Sequence, residues 1–151
     1  TVLVTGHSLG AALATLCAAD IAPLFPGARV TMYNYGSPRV GNRAFARLFD
    51  TLVPDAFRIV NDADLVARVP RTRLLNYRHV GRTVLVSAQQ GKRIWVEGES
   101  EGSDPLKERW TELSELLEAE LSLMQGLVGG GSIADHMEDA YFRALVQALL
   151  P

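Results

Sequence analysis

The sequence predicts an α/β fold, a mainly parallel sheet with flanking helices, on three observations. Its first half alternates short apolar runs with helical patterns in strand, helix, strand, helix, strand order. The runs are continuously apolar at their start, "VLV" at Val2 to Val4, as strands buried on both faces of a parallel sheet require. A glycine-flanked serine, "GHSLG" at Gly6 to Gly10, joins the first such run to an alanine-rich helical stretch.

Each element follows from its residues. Ala11 to Ala22 reads as a helix packed closely on the sheet and stopped by Pro23 and Pro26. "ARVTMYNYGSP" is a second strand from about Arg29 to Tyr35, closed by a Gly-Ser-Pro turn. "GNRAFARLFDTLV" is an amphipathic helix ended by Pro54. "AFRIVN" is a third strand and leads into "DADLVARVP", a loop with two aspartates. "YRHVGRTVLVS" and "GKRIWVEG" form a strand pair joined through "AQQG". Pro105 then opens a long helix capped by Ser103 or Asp104, with Leu106, Trp110, Leu113, Leu117, Leu121 and Met124 in one apolar stripe. "VGGGS" breaks it, and "ADHMEDAYFRALVQALL" is a last helix.

The 151 residues are 48% hydrophobic, with mean hydropathy near zero, which suits one globular domain with a real core. No apolar stretch approaches the roughly 20 residues that cross a bilayer. Thr1 stands inside a predicted buried strand. The expectation is therefore that residues 1–151 are the C-terminal part of a single larger domain, without its earlier strands and any targeting signal. The compartment is left unassigned. Charge is uneven: Arg29 to Arg93 holds twelve basic and four acidic residues, Glu97 to Pro151 three basic and twelve acidic. Such blocks attract each other or are solvated; the sharper alternative is a basic surface for anionic head groups. The arginines lack the interleaved aromatics of a nucleic-acid module, so that partner is set aside. Cys17, alone, forms no internal disulfide and is expected to be a buried small hydrophobe. No histidine pair at ligand spacing and no cofactor loop occurs, so neither metal nor cofactor is implied.

The chemistry centres on Ser8. A serine on a strained turn between strand and helix is a nucleophile elbow, and it needs small neighbours. Side chains at Gly6 or Gly10 are expected to strike the returning backbone. The N–H of Leu9, at the helix start, would face a developing oxyanion. Of three histidines, His7 is adjacent to Ser8 and diverges from it on a tight turn. His79 follows a strand pattern, where a packed histidine is commoner. His136 lies on a loop edge after the glycines, and the residues favour it as the base. The orienting acid belongs between Ser8 and the base in the chain, and Asp62 and Asp64 both follow the third strand. One of the two holds the imidazole; the other caps a turn or meets solvent.

Four segments, "VLVTGHSLGAALA", "VTMYNYGSPRVGNRAFA", "FRIVNDADLVARVP" and "YRHVG", run in order over most of residues 1–81. In them the chain resembles the class 3, fungal-lipase-like branch of the α/β-hydrolases. The resemblance implies a partial α/β-hydrolase fold lacking the strands before the elbow. It assigns the acid to Asp64, followed by Leu65, Val66 and then Pro70, rather than Asp62. It gives His79 a structural part and leaves the base to His136. It implies a serine ester hydrolase of the triacylglycerol lipase or carboxylesterase type, acting on lipid or other ester substrates, with a lipid–water interface as a possible partner. The alternatives are a phospholipase, galactolipase or thioesterase with the same triad, or a non-catalytic relative. The family's second oxyanion donor and lid precede the elbow, so the chain is expected to hold half an oxyanion hole. Glu97 to Gly131 has no counterpart in the resemblance.

Overall fold

A computed structural model describes residues 1–70, 76–87, 93–99 and 134–149. β1 (Val2–His7), β2 (Val30–Tyr35), β4 (Asp55–Asn61) and β6 (Arg82–Ser87) pair in parallel, and β7 (Arg93–Val96) closes the sheet antiparallel to β6. The strand order is β1-β2-β4-β6-β7. A small antiparallel ribbon pairs β3 (Gly41–Asn42) with β5 (Tyr77–Arg78). The helices are α1 (Leu9–Leu24), α2 (Arg43–Leu52) and α3 (Glu138–Leu149), the last preceded by a 3₁₀ turn, Ala134–His136. The β6–β7 pair agrees with the sequence, but "YRHVGRTVLVS", expected as one strand, is split near Gly81, and its Tyr77–Arg78 part pairs with β3 instead. The turn expected between β6 and β7 and the helix expected from Pro105 lie outside the described residues.

Strand alternation divides the core. Val30 and Met32 of β2 and Ala56 of β4 pack against α1 and α2 through Ala18, Ala46 and the fully buried Phe49. On the other face, Ile59 and Val86 meet Tyr141 and Ala144 of α3. Helices thus cover both faces at β4. β1, expected to be buried on both faces, is an edge strand of the described sheet, in which half-buried Val2 and Val4 alternate with exposed Leu3 and Thr5.

α1 departs from the expected bounds at both ends. It begins at Leu9, directly after the serine, and runs through Pro23 to Leu24. Proline in the last turn forfeits one backbone bond, while the next turn closes with the Phe25 N–H donating to Ile21 O at 3.2 Å. The sheet-facing side is Ala11, Ala14, Thr15 and Ala18, residues small enough for close approach. Cys17 is exposed, contrary to the buried position expected of it. It is rotated by about 100° from Ala18 on the helix, and α1 is apolar on its outer side as well, with Leu9, Leu13 and Leu16 exposed. That all-round apolarity concealed which face the sheet takes. α2 also starts later than expected: Gly41 and Asn42 form β3, and the Asn42 side chain then caps the helix by accepting from the Phe45 N–H at 3.0 Å.

Candidate active site

The ends of three parallel strands and the turn before α3 converge on one cluster. β1 ends at His7, and the backbone reverses into α1 at Ser8, whose φ of 58° and ψ of −127° lie where side chains are strained. Gly6 makes the reversal possible, since a Cβ there would stand 2.3 Å from Gly10 O. Gly10 does not share this constraint: a Cβ on it would meet nothing within 4 Å. The expected collision at Gly10 is therefore corrected. α1 passes over Gly6, whereas Gly10 itself faces outward.

A serine before a helix ordinarily caps it with its side chain. Ser8 makes no such bond, and its Oγ donates instead to His136 Nε2 at 2.7 Å. On the other edge of that ring, Nδ1–H donates to Asp64 Oδ2 at 2.9 Å. Facing a carboxylate, Nδ1 carries the proton, which leaves Nε2 free to accept from the serine. Asp64 is fully buried, and its charge is met on all sides. Oδ1 accepts from the N–H groups of Val66 and Ala67 at 2.8 and 3.3 Å, and Oδ2 also accepts from the Tyr141 hydroxyl at 2.6 Å. Burial first, and the neighbouring Asp64 charge second, push the Tyr141 phenol far above its ordinary range, so it remains a donor.

Ser8, His136 and Asp64 are thus brought together. Leu9 opens α1, where the first N–H groups have no partner within the helix. Asp62 does not meet solvent, one of the two alternatives for it: it is buried, and its Oδ2 accepts from Ser87 Oγ at 3.0 Å. Its carboxylate lies toward β6 because Asp62 N–H bonds Val86 O at 2.9 Å. His79, just past β5, is not in the cluster. Its Nδ1 is buried without a hydrogen-bond partner, and burial together with the Arg58 and Arg39 cations holds its pKa well below that of ordinary imidazole.

Three contributors escaped the sequence reading. Gly36, at φ 60°, lies so near the acid and base that a Cβ would be 3.0 Å from both Asp64 Oδ2 and His136 Cε1. Tyr141 had a signal, since a buried phenol needs a partner, but nothing in the sequence named it. Asn61 Nδ2 donates to Asp135 O at 2.9 Å, tying the end of β4 to the turn that carries His136. Beside that turn is a cavity of about 120 Å³ of mixed character, with Asn61, Asp62, Ala63, Ser87, Asp135 and Ala140 in its wall; neither Ser8 nor His136 lines it. It is smaller than the roughly 300 Å³ and above of a typical ligand pocket.

Residues 1–74 match the profile of the family described as Lipase (class 3). Over this region, just under half of the chain, it is similar to the class 3 lipases. It is 48% identical over 77 residues to a chloroplastic phospholipase A(1) of Arabidopsis thaliana, a match covering 50% of this chain and 17% of the relative. A secreted mono- and diacylglycerol lipase of Malassezia globosa is 46% identical over 79 residues, 52% of this chain and 26% of its own. The chain therefore spans about a quarter or less of the length of these relatives. Among solved structures, a triacylglycerol lipase described as having a serine protease triad as its catalytic centre aligns over 99% of this chain and 49% of its own. The TM-score is 0.65, with 26% identity. The triacylglyceride lipase of Rhizomucor miehei aligns over 78% and 46%, with TM-score 0.61 and 31% identity. The sheet and helices are those of an α/β-hydrolase over the part covered.

Proposed function

We propose that this chain supplies the nucleophile, base and acid of a serine hydrolase that cleaves carboxylic esters of lipids. The observation that carries the reading is the continuous hydrogen-bonded line from Ser8 Oγ through His136 to the buried Asp64 carboxylate. In this mechanism His136 Nε2 takes the Ser8 proton as Oγ attacks the ester carbonyl carbon. The C–O bond to the alcohol breaks as the imidazolium returns that proton to the leaving oxygen. Water, deprotonated in turn by His136, then splits the acyl-serine. Asp64 holds the imidazole in its Nδ1–H form and supports its transient charge, and Leu9 N–H serves the oxyanion.

Named relatives include phospholipases A1 as well as acylglycerol lipases. A phospholipid ester is therefore the second reading, with the same chemistry at the carbonyl. Both readings are tested by fluorophosphonate labelling and by turnover of p-nitrophenyl esters of rising chain length. Ser8→Ala and His136→Ala should each abolish turnover, and Ser8→Ala should abolish labelling. Undiminished turnover in folded Ser8→Ala would end the proposal. Release of fatty acid from phosphatidylcholine against a diacylglycerol then separates the two readings.

A further inference from the structure

The residue beside the nucleophile has its own bond to the base. His7 ends β1, and its Nε2 lies 2.7 Å from the backbone oxygen of His136. A carbonyl only accepts, so Nε2 carries the proton and donates. The two imidazoles also face each other, centroids 4.7 Å apart and planes tilted by 32°, and His7 meets the Tyr141 ring edge-on at 5.7 Å. On its far edge, Nδ1 is 3.9 Å from the exposed Glu138 carboxylate. We infer that His7 is a positioning residue: its Nε2–H ties the main chain of the base-bearing turn to the elbow that bears Ser8, setting the Ser8–His136 distance.

The geometry gives this a reason. Ser8 is fixed by the strained junction of β1 and α1, whereas His136 arrives on a three-residue 3₁₀ turn with 71 residues between it and Asp64 in the chain. Two side chains from strand ends grip that turn by consecutive carbonyls: Asn61 holds Asp135 O, and His7 holds His136 O. Of these two, only His7 is covalently joined to the nucleophile. Any displacement of the turn away from the elbow must stretch the His7 bond, while proton transfer needs the serine and imidazole within hydrogen-bond reach. The sequence-based reading of His7 as a poor base stands beside this role, since its ring faces the His136 main chain rather than the Ser8 hydroxyl.

This inference rests on the triad reading, and the experiment separates the two. His7→Phe keeps a ring but loses the donor. His7→Gln places an amide N–H near the position of Nε2, whereas His7→Asn is too short to reach the carbonyl. With a soluble p-nitrophenyl ester, His7→Phe should lower kcat by about 30-fold, in line with the cost of a misplacement near 1 Å, with KM within about twofold. His7→Gln should recover to within about threefold, and His7→Asn should stay as low as Phe. In NMR spectra the low-field Nδ1 proton of His136 should persist in Gln and broaden in Phe. Wild-type kcat in folded His7→Phe overturns the inference. So does Asn matching or exceeding Gln, a comparison that remains decisive where Phe does not fold. Ser8→Ala runs alongside: if it is active, the triad reading fails; if it is inactive while His7→Phe is unimpaired, only the role of His7 falls.

Discussion

Two aspartates separated by one residue do different work because each is bonded to a different element. Asp64 has four donors around its carboxylate, one of them the His136 Nδ1–H. In Asp64→Asn, an amide group facing Nδ1 favours the tautomer with its proton on Nε2, which cannot accept from Ser8. The expected loss is about a thousandfold or more in kcat. Asp62→Asn keeps an acceptor for Ser87 and should cost less than about tenfold, mainly through packing. Equal losses for the two would sink the assignment of the acid. Gly36 is read the same way. An alanine there must occupy the left-handed region, at about 1–2 kcal/mol, and its Cβ presses on the Asp64–His136 contact. Gly36→Ala should cut kcat by at least about tenfold and lower Tm by roughly 2–8 °C; unchanged kcat in a folded variant would show that the contact yields freely.

At the scale of elements, the strands were legible as apolar runs, although β1 carries such a run while covered on one face only, with Leu3 exposed. The elbow was legible because strand, Gly-x-Ser-x-Gly and alanine helix are adjacent in the chain. Of its two glycines, Gly6 was read correctly and Gly10 was not, since both look alike in sequence and only the path of α1 distinguishes them. Gly6 lies under the returning helix; Gly10 is a helical residue with open space at its Cβ position. The two should therefore respond in opposite directions. Gly6→Ala should destroy the elbow, giving unfolded protein or no labelling of Ser8. Gly10→Ala should gain up to about 1 kcal/mol from helix propensity, and calorimetry should record a higher Tm. A lower Tm for Gly10→Ala would show that the space at its Cβ position is not open. Cys17 and the ends of α1 were misjudged for a related reason: a helix apolar on every side carries no pattern that tells its buried face. What makes the site most hidden in sequence is distance, since Tyr141, Asn61 and His7 acquire roles only when strand ends and the α3 turn are brought together.

Over the whole molecule, His79 links stability to pH without belonging to the catalytic cluster. Half-buried overall but sealed at Nδ1, and held neutral by burial and by Arg58 and Arg39, it does not take up a proton in the folded state near pH 6.5. The unfolded chain does, with the ordinary imidazole pKa of about 6.5. Below that pH the unfolded state binds more protons, so stability falls as pH falls. The contribution is fully present above the unfolded pKa and is lost through the window below it, by at most about 1.4 kcal/mol per pH unit for one group. His79→Leu removes this proton and keeps an apolar side chain of moderate size. Urea unfolding of both proteins between pH 8 and pH 5 should therefore give free energies that differ by a constant amount above about pH 7. Below pH 6.5 the difference should shift steadily in favour of His79→Leu, the wild type falling more steeply, because every other titrating group is common to both. His7 and His136 remain in both chains and cancel in the difference. Parallel curves throughout would show that folded His79 accepts a proton as readily as the unfolded chain. Activity supplies the second half of the test, since a histidine outside the Ser8–His136–Asp64 line should leave kcat of the folded His79→Leu protein within a few fold of wild type, whereas His136→Ala should not.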